Sequence, residues 1–210
     1  MRLILAIICL VSMAFCPDRD TERQKELKTL PKEVKQVILV QNHRLSLWNR
    51  TDGKGSLWEK AFEVECQYGK NGLRADRHEG DGTTPIGLFK VLYAFGNAPD
   101  PGSALPFKPI TKTSYWSGEK EDYNTWVEVE PGTRDMSHSE HLSRYMVCYK
   151  YSMAIDFNTN PVVYGKGSAI FIHVQYPGDE TTIGCVTVSE EYMLRLIKEC
   201  GEGTYLWVKE

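Results

Sequence analysis

The stretch Ser168 to Ser189, SAIFIHVQYPGDETTIGCVTVS, brings an imidazole and a thiol onto one short connection. His173 ends a strongly apolar run. Cys185 follows a loop carrying Pro177, Gly178 and Asp179, and it stands directly after Gly184. A base that takes the thiol proton, and then stabilises the thiolate as imidazolium, is what a cysteine nucleophile needs. Gly184 lets the backbone come close, so the amides around Cys185 are candidate donors to an oxyanion. Spacing alone leaves two other readings open. A histidine and a cysteine twelve residues apart also suit a core thiol beside a hydrogen-bonded imidazole. Zinc held by Cys185 and His173 with His138 or His141 is the other, although no CxxC or HxxxH spacing frames it.

The elements that must position this pair read as short strands. Val37–Val40 is a β-branched run, and Gln41-Asn42-His43-Arg44 reads as a hairpin turn into Leu45 and Leu47. A second turn falls at Thr51–Gly55, and Trp58–Tyr68 alternates again. Further apolar runs at 88–95, 125–129, 146–157, 169–174 and 205–208 are bounded by Gly, Pro, Asn or Asp. Two helices stand out. Ser137-His138-Ser139-Glu140 fits a capping box, with a short helix expected over His141, Leu142 and Tyr145. Ser189 is placed as the N-cap of a helix to Cys200, with Met193, Leu196 and Ile197 as its buried face and Gly201 as its closing glycine. Many short strands with one or two short helices give a β-rich α+β domain.

The remaining composition narrows the function. The chain has 210 residues, 41% hydrophobic and 25% charged, enough for one domain with a real core. A net charge of −3 gives no basic field for nucleic acid, and no internal run of ~20 apolar residues spans a membrane. Residues 1–16 read as an export signal: Arg2, then the apolar run Leu3–Val11, then Ser12 and Ala14 at cleavage-site positions. Cys16 suggests a lipoprotein anchor, but Phe15 stands where that signal needs a small residue. Residues 17–35 read as a charged linker, leaving 36–210 as the folded domain. Loss of the signal leaves Cys66, Cys148, Cys185 and Cys200, an even set that also allows structural disulfides, with Cys66 and Cys148 as one pairing.

The local pattern decides among these. His173 followed by Thr182-Ile183-Gly184-Cys185-Val186 resembles the His…[Ser/Thr]-x-Gly-Cys-[Val/Ile] signature of the L,D-transpeptidase catalytic (YkuD-like) family. Arg77-His78-Glu79-Gly80-Asp81-Gly82-Thr83-Thr84-Pro85-Ile86-Gly87-Leu88-Phe89 is similar to the EGDGxTPxGxF segment of one branch. Asp122-Tyr123-Asn124, Ser139-Glu140-His141-Leu142, and Met153–Asn158 followed by Gly167–His173 look similar to the same branch. The blocks run in matching order over residues 60–190, far more specific than the His/Cys pair.

The resemblance implies an L,D-transpeptidase-like β-sandwich or barrel acting on peptidoglycan stem peptides. It assigns Cys185 as nucleophile and His173 as base and later acid. The carbonyl of Val174 would orient the imidazole, and the amides of Gly184 and Cys185 would be the oxyanion donors. Thr182 and Thr187 are assigned to substrate. No cofactor and no metal are expected, and a monomer in the periplasm or cell wall is. Two positions depart from the pattern: Ile183 stands where many members have a second histidine, and Thr187 where many have Arg or Asn. A threonine cannot pair with a carboxylate as a guanidinium does. Acyl transfer to an amine is the leading function. An L,D-carboxypeptidase or related hydrolase uses water instead, and a catalytically silent wall-binding module is an alternative of another class. Glu79 and Asp81 are secondary candidates for a substrate ammonium.

Overall fold

The computed structural model describes residues 19–51 and 57–210. The export signal, with Cys9 and Cys16, and most of the turn expected at Thr51–Gly55 lie outside the described residues. Chain order begins α1 (Arg19–Leu27), β1 (Gln36–Gln41), β2 (Arg44–Arg50), β3 (Trp58–Glu65), β4 (Leu73–Arg74), β5 (Thr84–Pro85), β6 (Gly87–Gly96) and β7 (Phe107–Pro109). It continues with β8 (Ser114–Trp116), β9 (Trp126–Glu128), β10 (Glu140–His141), β11 (Ser152–Ile155), β12 (Phe171–Val174), β13 (Val186–Val188), α2 (Glu190–Glu199) and β14 (Thr204–Val208). Single 3-10 turns lie at Leu142–Arg144 and Cys148–Lys150.

Nine strands form one mixed sheet in the order β13-β12-β11-β6-β14-β1-β2-β3, with β7 added on β6. Its two edges meet. Gln67, just past β3, exchanges backbone hydrogen bonds with Thr187 of β13 at 3.0 and 2.9 Å, so the sheet closes into a barrel. Closure removes the open edges that a sheet otherwise exposes. The seam continues toward the catalytic turn: Thr182 N donates to Tyr68 O, and Lys70 N to Thr182 O.

Strand period explains why the runs look apolar on both faces. In β1, Ile38 and Val40 point into the barrel, while Val37 and Leu39 pack outward with Trp48, Trp58, Leu27 and Val34. Burying each such aliphatic side chain contributes roughly 1.5–3 kcal/mol. Leu27 belongs to α1, so residues 17–35 are not a free linker over their described part. Their few apolar groups fall where a helix and the turn after it cover the outer face of β1. In β12, Ile172 and Val174 face the barrel, and Phe171 and His173 face the opposite way.

The hairpin turn at Asn42-His43 is present, with φ of 52° and 56°, the left-handed pair that a tight two-residue hairpin requires. α2 buries Met193, Leu196 and Ile197 as the pattern requires. Its ends differ from expectation. Ser189 makes no side-chain cap bond. Gly201 does not adopt the left-handed conformation; its N–H donates to Gln36 Oε1 (2.8 Å), while Gln36 Nε2 donates to Glu199 O (2.8 Å). A glutamine from β1 thus satisfies groups that a C′ glycine would have satisfied internally. The capping box at 137–140 does not open a helix either. Ser139 Oγ is bound to Glu119 and Gly118, Glu140 is extended and engaged by Tyr149, and only a 3-10 turn follows, with Leu142 buried.

Candidate active site

Outside the barrel wall formed by β12 and β13 lies a cavity of about 590 Å³. His173, Thr182, Gly184, Cys185 and Thr187 all line it, so the structure brings together every residue assigned to the site. Glu79, Arg77, Glu140, Tyr149 and Trp116 line it as well. Cys66, Cys148, Cys185 and Cys200 are all free thiols. Among the described residues no three His, Cys, Asp or Glu side chains are grouped to hold a metal ion. His141, one of the zinc alternatives, stacks on Tyr115 and bonds Lys112 O.

His173 is paired in register with Ser152 of β11 on one side and Thr187 of β13 on the other. Tyr149 meets its ring edge-on, with centroids 5.5 Å apart. His173 Nδ1 lies 2.9 Å from Val174 O. A carbonyl only accepts, so Nδ1 carries the proton and Nε2 keeps its lone pair. Burial pushes the imidazole down to about 4, against a smaller upward pull from the Val174 bond. At neutral pH it is an uncharged base.

The thiol is also neutral. Burial lifts Cys185 to about 12, and Glu140 adds to the rise; the Phe171 amide and Arg77 oppose it. Cys185 Sγ accepts from Phe171 N (3.3 Å) and donates to Ala169 O (3.2 Å). The resting pair is therefore thiol and imidazole, not thiolate and imidazolium. Proton transfer must accompany attack, with the thiol turning from Ala169 O toward His173.

Thr182 Oγ1 donates to Cys185 O (2.6 Å) and accepts from Gly184 N (3.0 Å). Its proton is spent on the turn, which leaves one lone pair on the oxygen, and the Gly184 amide donates to that hydroxyl. Gly184 is also needed for shape. Its φ is +157°, and a Cβ there would lie 3.0 Å from Thr83 O and 2.9 Å from Ile170 Cδ1. Thr187 is buried with its Oγ1 unpartnered, beside His173.

The other sequence blocks hold this turn from behind. Thr84 Oγ1 donates to Gly184 O (2.6 Å) and accepts from Gly69 N (2.9 Å). Asp81 accepts from His78 N (2.9 Å) and from Thr83 N and Oγ1 (2.8 Å each). These bonds hold the Asp81 carboxyl down at about 2, so Asp81 is a knot in its loop rather than a site for a free ammonium. Asn124 Oδ1 accepts from Ala169 N (3.1 Å) and Trp116 Nε1 (2.9 Å). That fixes Ala169, at φ 52°, where its carbonyl meets the thiol. Tyr123 Oη accepts from Gly167 N (3.1 Å) and donates to Glu79, which also accepts from Ser168 Oγ.

Glu140, which stands in the capping-box pattern and in the Ser139–Leu142 block, also lines this cavity. Its Oε1 accepts from Tyr149 OH (2.7 Å). Burial, with help from Glu79, pushes its carboxyl up to about 7. A raised carboxyl makes the fold most stable below the ordinary carboxylate range, and that stability is lost as pH rises through about 7. Glu140→Gln keeps an acceptor for Tyr149 and cannot ionise. Thermal melts are expected to match wild type near pH 4.5 and to be higher at pH 8, by up to about 3 kcal/mol. Equal melting at both pH values would refute the placement of this carboxyl.

Comparison with known proteins agrees with the fold. The family model for the L,D-transpeptidase catalytic domain (YkuD) matches residues 35–208. No curated protein matches the sequence. Among solved structures, Bd1075 of Bdellovibrio bacteriovorus is similar at 13% identity and a TM-score of 0.46, over 84% of this chain and 48% of that one. An L,D-transpeptidase from Mycobacterium smegmatis is similar at 13% identity and 0.41, over 85% and 59%. L,D-transpeptidase 1 of Mycobacterium tuberculosis gives 11% and 0.38, over 82% and 59%. The chain thus spans about half to three fifths of the length of these structures.

Proposed function

The chain belongs to the L,D-transpeptidase catalytic domain family, and from that premise we propose that it is an exported cysteine acyltransferase of peptidoglycan stem peptides. The observation that carries the reading is the tautomer of His173. Its Nδ1–H is held by Val174 O, which leaves Nε2 unprotonated on a ring that lines the same cavity as Cys185.

Cys185 Sγ attacks the stem carbonyl next to the departing D-residue, and its proton passes to His173 Nε2. The C–N bond breaks, the D-residue leaves as a free amine with that proton, and a thioester remains. An amine from a second stem attacks the thioester, His173 takes the amine proton and returns it to sulfur, and the new amide is the cross-link. With the Gly184 amide occupied by Thr182, the Cys185 amide is the donor we assign to the oxyanion. Residues 1–16 are read as the export signal that brings the chain to its polymer. No helix among the described residues is long and apolar enough to cross a membrane.

The test uses the full chain with tetrapeptide-stem muropeptides, followed by intact mass and peptide mapping. A tripeptide-stem adduct on Cys185, with release of one D-amino acid, is expected. A dimer among the products supports transfer to an amine, and a free tripeptide stem shifts the assignment to a carboxypeptidase. No adduct and no product with any stem would remove the reading.

A further inference from the structure

Arg77 is 4% exposed and lines the same cavity. Its Nε and Nη1 are buried without any hydrogen-bond partner. Nη2 donates to His78 O at 3.2 Å and reaches only 3.5 Å from Asp81 Oδ1. A guanidinium is charged at all accessible pH, and burying it so poorly paired is costly. The fold nevertheless makes room for it. A Cβ on Gly167, at φ +125°, would fall 2.5 Å from Arg77 Nη1. A Cβ on Gly184 would lie 3.7 Å from Nη2. The guanidinium therefore sits between the glycine that leads to Ala169 and the glycine that precedes Cys185, with Phe157 beneath it.

We propose that Arg77 is the positioning charge of this site: a fixed cation beneath the Gly184–Cys185 turn that stabilises the sulfur anion formed when Cys185 gives up its proton. This rests on Cys185 being the nucleophile. The buried N–H groups are too enclosed to grip a ligand, so Arg77 acts through its field on the sulfur rather than by touching substrate. In a dry site that field is screened far less than at the surface. Other groups also face the thiol: Glu140 from β10 and Cys148 from the second 3-10 turn both disfavour the anion, and Arg77 opposes them. His173 takes the proton, and Tyr149 packs on both His173 and Phe171. Thr187 places no charge beside the nucleophile; Arg77 supplies one from a loop about a hundred residues earlier.

The measurement is the pH dependence of Cys185 alkylation by iodoacetamide, read by peptide mapping of the full chain, with melting followed in parallel. Arg77→Gln is expected to slow alkylation roughly tenfold at a fixed pH in the neutral to mildly alkaline range. Arg77→Lys is expected to stay within about threefold of wild type. Asp81→Asn removes the counter-charge that lies 3.5 Å from Arg77 and is expected to speed alkylation at the same pH; it serves where Arg77→Gln does not fold. An unchanged profile in folded Arg77→Gln, or in Asp81→Asn, overturns the proposal, as does an Arg77→Lys as slow as Arg77→Gln. Alkylation needs no stem peptide. A shifted profile without acyl-enzyme keeps Arg77 and removes the stem-peptide reading, and acyl-enzyme with no shift does the reverse.

Discussion

Replacing Cys185 by alanine is expected to abolish the acyl adduct and lower product formation by ~10⁴-fold or more, because the proposed thioester forms on its sulfur. The loss should not reflect unfolding. Cys185 is only partly buried, and its side chain joins no disulfide. Removing sulfur leaves Phe171 N and Ala169 O without that partner, a cost of about 1–2 kcal/mol. The turn itself is held by Thr84 and Thr182, neither of which bonds the sulfur. Cys185→Ala should therefore melt within a few degrees of wild type and still bind stems. Burial lifts Cys66 to about 12, as it does Cys185, and raises Cys148 and Cys200 as well, so a thiol of this chain reacts only with a base beside it. Cys66 and Cys200 do not line the cavity that holds His173, and Cys148 is the competing thiol that does. An adduct surviving in Cys185→Ala would move the nucleophile elsewhere, and mapping would show where.

The barrel wall was legible because its runs are buried on both faces. AIFIHV reads as apolar throughout because Ile172 and Val174 fill the barrel while Phe171 packs outward on Trp116 and Tyr149. The His173 and Cys185 pair was legible for a related reason: a strand, a loop and a second strand leave few ways to separate them. What the sequence left unread are the individual roles of residues inside the blocks that carry the resemblance. Asn124, Thr84, Arg77 and Glu140 bear on the turn through tertiary contacts, and nothing in their local spacing marks them individually. Ser137–Glu140 shows how local signals mislead. His138 and Ser139 bond Glu119, Glu140 is engaged by Tyr149, and Ser137 meets only Asp135 and His138, so the box does not open a helix. Residues 17–35 mislead in the opposite sense. Their composition is that of a solvated segment, yet Leu27 and Val34 are fully buried because the outer face of β1 needs a cover.

His173→Ala is expected to lower acyl-enzyme formation at pH 7.5 by ~10²–10⁴-fold. The thiol of this site starts neutral, lifted to about 12 by burial, so attack without a base would draw on a vanishing thiolate fraction. A cysteine protease that rests as an ion pair keeps some reactivity without its histidine; a neutral pair does not. The pH profile follows from the same burial. An imidazole pushed down to about 4 is protonated only below that value. Acylation should hold level from neutral pH down to about pH 5 and fall through a midpoint near 4, well under an ordinary histidine. In His173→Ala that acid limb should vanish along with the rate, while melting changes little, since the side chain bonds only Val174 O. Val174 contributes its backbone carbonyl, so Val174→Ala should keep both the limb and most of the activity. An acid limb near 6.5 in the wild type would mean that the imidazole is solvated in the working enzyme. Wild-type rates in folded His173→Ala would assign the base to another group, and Glu140, a carboxylate that lines the same cavity and raises the Cys185 thiol, is where that search would begin.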